Sequence, residues 1–302
     1  MRLTTVLVGV LSASALLGQE LNPTQEPLAA ESAGGVSQPL YHVDVVAHTT
    51  KALSYGHGSE PTKIDFAGTI LQPDAKGEAR IDVEKGVVQI DAKFKNLSAP
   101  HRFGPQFLTY VLWALTPDGR ATNLGELLTD SGDDAKLETS TELQIFALIV
   151  TAEPYYAVTQ PSDVVLMENV MRPDTVGRVH TVDVKYELLK RGAYTFDIAA
   201  VKSRENRNAR KVSQREYEAL VELYQARNAV QLAQADGAAV YAAEAFARAQ
   251  GQLREAEQIH AADPKGNAVV TLAREATQTA EDARLIASRR HAEAAGPATN
   301  SQ

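Results

Sequence analysis

The sequence predicts an α+β protein in two domains, an N-terminal antiparallel β-sandwich followed by an all-α antiparallel bundle of about three helices. Three observations lead there. Before about residue 200 the apolar residues come in short runs, alternating or continuous, punctuated by Gly and Pro at strand-like spacing. Beyond it they step by four and three residues in long stripes, the spacing of one helix face. Composition shifts at the same point, from Val, Ile and turn residues to Ala, Glu and Gln, which marks a domain boundary.

At the start of the chain, Arg2 precedes an apolar run from Leu3 to Leu17, and Gln19 and Glu20 restore polarity. That reads as a secretory signal. Ala13-Ser14-Ala15 fits a small-x-small cleavage site, while Leu16-Leu17-Gly18 resembles the start of a lipoprotein site that would need a cysteine where Gln19 stands. The chain has no cysteine, so it carries neither a lipid on sulfur nor a disulfide and is expected to be held together by packing alone. The expectation is a soluble exported protein, periplasmic or secreted, with association to the outer membrane as a further option. An uncleaved signal serving as an anchor is the competing reading, although the run falls short of the ~20 residues that span a bilayer. A formal net charge of −8, with no basic patch on an ordered element, argues against nucleic acid as a partner.

The expected organisation is a signal at 1–18, a flexible lead at 19–40, the sandwich at 41–192, a polar basic linker at 193–215, an alanine-rich helical domain at 216–294 and a disordered tail at 295–302. Strands are expected at residues 43–47, 64–71, 79–83, 87–95, 109–115, 121–128, 143–152, 163–168 and 179–186. The clearest is 87–95, with Val88, Ile90, Ala92 and Phe94 on one face and Gln89, Asp91, Lys93 and Lys95 on the other. Eight or nine short strands without helices between them point to a sandwich.

Residues 202–215 hold six basic residues against one acid, Glu205. A solvated linker and a contact with anionic headgroups or sugars both fit that segment, the linker more simply. Three helical stripes follow: Ala219, Leu223, Ala226, Val230 and Ala233; then Ala242, Phe246, Ala249, Leu253, Ala256 and His260; then Val269, Leu272, Ala276, Thr279, Ala283 and Ile286. Short breaks at 235–238 and 262–267 make neighbouring helices antiparallel, and the small seam residues let their axes approach closely.

Catalytic signatures are missing from the sequence: there is no G-x-S-x-G, no H-E-x-x-H, no phosphate-binding loop and no thiol. Ser54, His57, Ser59 and Glu60 share one Gly-rich loop, but sequence neighbours rarely form a nucleophile, base and orienting acid. His42 and His48 flank a strand without a ligating carboxylate pattern. Asp130, Asp133 and Asp134 lack the ligand spacing of a calcium loop, so a solvated hairpin is the simpler reading. No catalytic, metal or cofactor residue is assigned. His260 is expected near a helix C-terminus, where it favours the dipole. Tyr217, Tyr224, Tyr241 and Phe246 could form an exposed patch for a partner, although such rings more often close the ends of an alanine-rich bundle.

The stretch "YVLWALTPDGRATNLGEL" (110–127) and the later "FALIVTAEP" (146–154) resemble the extracytoplasmic sandwich of anti-sigma-K factor proteins, over about residues 80–170. The chain departs from that pattern at Tyr155-Tyr156 and Gln160-Pro161-Ser162, and it lacks the family's sigma-binding helices and membrane span, so anti-sigma activity is not implied. The helical part resembles the alanine-rich domain of unknown function in acidobacterial-type exported envelope proteins. That domain is often found ahead of outer membrane protein A type domains, of which this sequence has none. The resemblances imply export and an envelope setting, not peptidoglycan binding.

Taken together, the expectation is a non-enzymatic exported envelope protein with a structural or interaction role through its sandwich and bundle, other envelope proteins being its partners. A periplasmic sensory module holding a small ligand or sugar is the alternative. Trp113, the only tryptophan, shares one strand face with Val111 and Leu115, while Tyr110, Leu112 and Ala114 occupy the other. A strand apolar on both faces is covered on both, so Trp113 is expected as a core marker between the two sheets. Trp113→Ala should lower the unfolding free energy by about 3 to 5 kcal/mol in chemical denaturation; near-wild-type stability would return the ring to the surface.

Overall fold

A computed structural model describes residues 48–55, 61–129, 133–175, 178–184 and 213–295. The signal, the lead, the strand expected at 43–47, nearly all of the linker and the tail from 296 lie outside the described residues. The described residues form ten strands: β1 (His48–Ser54), β2 (Thr62–Gly68), β3 (Lys76–Glu84), β4 (Val87–Lys95), β5 (Thr109–Leu115), β6 (Ala121–Leu127), β7 (Ala135–Thr141), β8 (Ile145–Glu153), β9 (Val165–Val170) and β10 (Arg178–Val184). After them come α1 (Gln214–Ala235), a single turn α2 (Ala238–Tyr241), α3 (Ala243–Ala262) and α4 (Asn267–Ala295). The fold is therefore α+β, with an antiparallel β-sandwich leading into an antiparallel bundle of three long helices.

Two strands escaped the sequence reading. β7 has only Ala135 and Leu137 as apolar residues, and Thr139 and Thr141 continue its inner side, so its alternation is faint. β1 begins where the expected strand was thought to end, its first half being polar. In β4 the expected alternation holds, with Val88, Ile90, Ala92 and Phe94 buried. Lys85 and Gly86, both at positive φ, join β3 to β4 as a two-residue hairpin, the mirror-image turn that matches strand twist. The string Thr116 to Arg120 turns β5 into β6, with Gly119 left-handed.

Every strand pairing is antiparallel, and β8 is the hub. One edge of β8 pairs with β5 along seven residues, while the other is divided between β1 and β9. From β9 the ladder runs through β2, β3 and β4 to β7, which returns beside β6, where Thr139 Oγ1 donates to the Leu124 carbonyl at 2.8 Å. The ladder thus nearly closes around an apolar interior that holds Leu53, Ile64, Phe66, Ile90, Phe94, Tyr110, Leu112, Phe146, Leu148 and Leu166.

The other faces of β5 and β8 are apolar too, and the helices cover them. Val111, Trp113, Leu115, Ala147 and Ile149 share a second core with Ala229, Leu232, Ala233, Phe246, Ala249, Ala280, Ala283 and Ala287. Trp113 is fully buried, as expected, but against the helical layer rather than between two sheets. The reason is alternation: Tyr110, Leu112 and Ala114 take the interior, so Trp113 must point away from it.

Ser213 starts α1, its hydroxyl accepting from Glu216 N–H at 3.3 Å. The first helical stripe is buried throughout, from Ala219 to Ala233. On α4 the most buried apolar residues are Val269, Ala273, Ala276, Ala280, Ala283 and Ala287, which partly replace the expected stripe because this helix lies against both α1 and α3. A third, smaller core of Ala219, Leu223, Ala226, Ala256, Val269, Ala273 and Ala276 belongs to the bundle alone. No helix among the described residues is long and apolar enough to cross a membrane.

A chain lacking residues 213–302 would leave Val111, Trp113, Leu115, Ala147 and Ile149 without cover. It is expected to aggregate, or to bind a hydrophobic dye and show red-shifted tryptophan emission. A monodisperse truncated sandwich with the emission of the full chain would contradict the shared core.

Candidate functional site

The chemically distinctive side chains meet where the helices dock on β5, β6 and β8. Glu281 of α4 is fully buried, and its two oxygens accept from Tyr155 Oη at 2.7 Å, Thr159 Oγ1 at 2.6 Å and Thr159 N–H at 3.2 Å. Arg284, one turn on, donates to both oxygens from Nε at 2.7 Å and Nη2 at 2.9 Å, and from Nη1 to Asp236 at 3.0 Å. Burial pushes the Glu281 carboxyl up, but the hydrogen bonds and charge of Arg284, with those of Thr159 and Tyr155, outweigh it and hold the group below its ordinary range. The Arg284 guanidinium is displaced upward: burial opposes its charge, and its contacts with Glu281 overcome that.

A second cluster lies nearer the start of α1. Arg274 Nη1 reaches Glu126 of β6 at 3.0 Å and also Glu222 of α1, and its guanidinium carbon stands 3.8 Å from the centre of the Tyr156 ring. Gln225 bridges the layers, accepting from Tyr156 N–H at 2.7 Å and donating to Glu126 at 2.9 Å. Asn228 donates to the carbonyls of Gln106 at 3.1 Å and Pro154 at 3.2 Å. Burial, and then the nearby Glu126 charge, push the Glu222 carboxyl up to about 7 against the pull of Arg274.

A short hydrogen-bonded chain also starts at the tryptophan. Trp113 Nε1 donates to Thr151 Oγ1 at 2.8 Å, and Thr151 donates to Glu153, which also accepts from Ser162 N–H at 2.8 Å. Glu153 is fully buried, and burial pushes its carboxyl up to about 8 despite those bonds. The Thr151–Glu153 pair is sealed from solvent, so it offers no substrate an approach.

The expected site residues scatter. Phe246 is 5% exposed inside the shared core, which removes it from any surface patch, because its stripe faces the sandwich as well as the bundle. Tyr241 is partly buried on that core and lies 5.3 Å from the His291 ring. Tyr224 has Arg227 over its ring at 5.2 Å, and Tyr217 is exposed. Tyr217 lies in the first turn of α1, whereas Tyr241 is the last residue of α2, beyond the other end of α1. His260 sits in the last turn of α3, its Nε2 buried without a hydrogen-bond partner. His42, His57, Ser59, Glu60 and Asp130 lie outside the described residues, as does the His48 side chain; Ser54 ends β1 and Asp133 takes a left-handed φ of 58°. Among the described residues no group of three or more His, Asp or Glu could hold a metal ion.

Across the outer face of β3, β4 and β7 runs an open groove lined by Arg80, Asp82, Glu84, Asp91 and Glu138, with no aromatic ring. Arg80, Asp91 and Glu138 stand in register on the three strands.

Sequence reasoning missed the docking residues because a buried Glu281–Arg284 pair has the same i,i+3 spacing as a solvated one. Arg284→Met would leave Glu281 buried without its cation and should lower stability by about 3 to 5 kcal/mol, with Glu281→Leu in the same chain recovering most of the loss. Urea denaturation checks both, and a loss for Arg284→Met below about 1 kcal/mol, the range of exposed pairs, would contradict the buried clasp. No family model, no curated protein and no solved structure matches the chain.

Proposed function

We propose that this protein is a non-enzymatic, exported component of the cell envelope, with a structural or interaction role. The observation that carries the reading is the use made of the charged and hydroxyl side chains that converge: Glu281, Arg284, Thr159, Tyr155, Glu126, Glu222 and Arg274 are spent on joining sandwich to bundle. The solvent-facing surfaces among the described residues include a charged sheet face on β3, β4 and β7 and the outer sides of α3 and α4, surfaces suited to contacts with other envelope proteins. The leader at 1–18 and the resemblances to the anti-sigma-K factor sandwich and to alanine-rich envelope proteins support export. Under the alternative, a small-ligand module, the ligand would lie in the charged groove. The ring-free lining of that groove gives a sugar no stacking surface.

Because the chain has no cysteine, a single one introduced at Lys93 on the sheet face or at Glu255 on α3 provides a unique crosslinking point. In cells the protein should fractionate with the envelope or the periplasm, and at least one of these positions should capture the same envelope protein reproducibly. A wholly cytosolic location, or no capture at either position, would overturn the reading.

A further inference from the structure

We propose that the contact between the helical layer and the sandwich is a pH-sensitive latch, closed in mild acid and loosened as Glu153 and Glu222 ionise. The proposal does not depend on where the protein resides. It rests on the charges placed between the layers. Glu222 and Glu126 approach from opposite sides of the contact and share one guanidinium nitrogen of Arg274. A single guanidinium does not balance two carboxylates in contact, so their repulsion acts directly to separate α1 from β6. One oxygen of Glu222 and one of Glu153 are moreover sealed from water with no hydrogen-bond partner. Such an oxygen is tolerable on a neutral carboxyl and costly on an ionised one.

The surroundings of both groups lean the same way. Facing Glu222 are Glu126 from β6, Arg274 from α4 and Tyr156 from the segment after β8; the charged pair between α1 and α3, Arg227 with Glu257 at 2.7 Å, is a separate one. Facing Glu153 are the donors Thr151 and Ser162 and the acid Asp163, with Asn228 of α1 bonded to the adjacent Pro154 carbonyl. The other buried cluster of the contact, Glu281 and Asp236 around Arg284, sets two acids against one cation.

The direction follows from linkage. In the closed state both carboxyls hold their proton above the ordinary carboxyl value, which is about 4.3 once water reaches them. Closure is therefore fully favoured below that value. It loses its advantage as pH rises, through about 7 for Glu222 and about 8 for Glu153. The working window is about pH 5 to 8, and ionisation loosens the latch rather than tightening it.

Trp113 reports on the contact, since it is the only tryptophan, lies in the shared core and is joined to Glu153 through Thr151. The test compares the full chain at pH 5.5 and 8.5 by acrylamide quenching of Trp113 and by amide hydrogen exchange in α1 and α4, the latter corrected for intrinsic base catalysis. Wild type should show opening of these helices that increases at least about tenfold between the two pH values, one pKa unit being a factor of ten, with tryptophan quenching rising in parallel. Glu222→Gln and Glu153→Gln should each reduce the increase, and the double variant should abolish it. A wild-type chain whose corrected exchange is unchanged across this range overturns the latch whether or not the variants fold, as does a double variant that keeps the wild-type pH dependence.

Discussion

β5 and β8 have no face that tolerates water. Each alternates between two apolar sets, so the sheet that contains them needs cover on both sides, and only one side can be the interior of a nearly closed ladder. The hydrophobic effect then makes the helices an obligatory layer rather than an appendage. The alanine-rich composition of the helices suits this placement. Ala229, Ala233, Ala280, Ala283 and Ala287 let the helix backbones come close to the sheet, and the one large ring between them, Phe246, fills space beside Trp113's neighbours.

Apolar contact alone would not fix how the bundle sits, since it has no direction. The polar groups of the contact supply that. One carboxylate, Glu281, ties α4 to Tyr155 and Thr159 of the sandwich, and Arg284 extends the tie to the end of α1 at Asp236. Buried ion pairs contribute less to stability than their geometry suggests, because both charges must leave water, but a mispaired one is heavily penalised. They therefore select one arrangement of the two layers over its neighbours. Asn123 works alongside them: a bulge in β6 at Leu124 leaves its amide to hold the Tyr156 and Val158 carbonyls at 2.8 Å each, which fixes the segment that Glu281 grips.

Periodicity made the main elements readable. The alternation of Val88 to Phe94 and the three-and-four step of Ala219 to Ala233 reflect burial on one side, which is what a sequence records most directly. β7 was hidden because a strand whose inner side is Ala, Leu and Thr carries little contrast. That Trp113 would be buried was readable from its strand, yet the identity of its cover was not, because a doubly apolar strand says that both faces are filled and nothing about which element fills each. The docking residues were harder still. Tyr155, Tyr156 and Ser162 are the residues that engage Glu281, Arg274, Gln225 and Glu153. Their partners lie 69 to 126 residues further on, in α1 and α4, or at the end of the preceding strand, and no local spacing announces either.

The distance along the chain between partners sets the order in which this protein can form. β1 pairs with β10, more than a hundred residues later, and the outer side of β8 is completed by residues 280 to 287. Hairpins such as β3–β4 can close early, but the central strands must wait, with one face still wet, for the last helix. Such a topology folds slowly and passes through species that expose apolar strands. While the chain is being made or moved, its most aggregation-prone surface is the one that only its C-terminal helices can quench, so a holding factor that recognises extended apolar segments would act most usefully on residues 109–115 and 145–153.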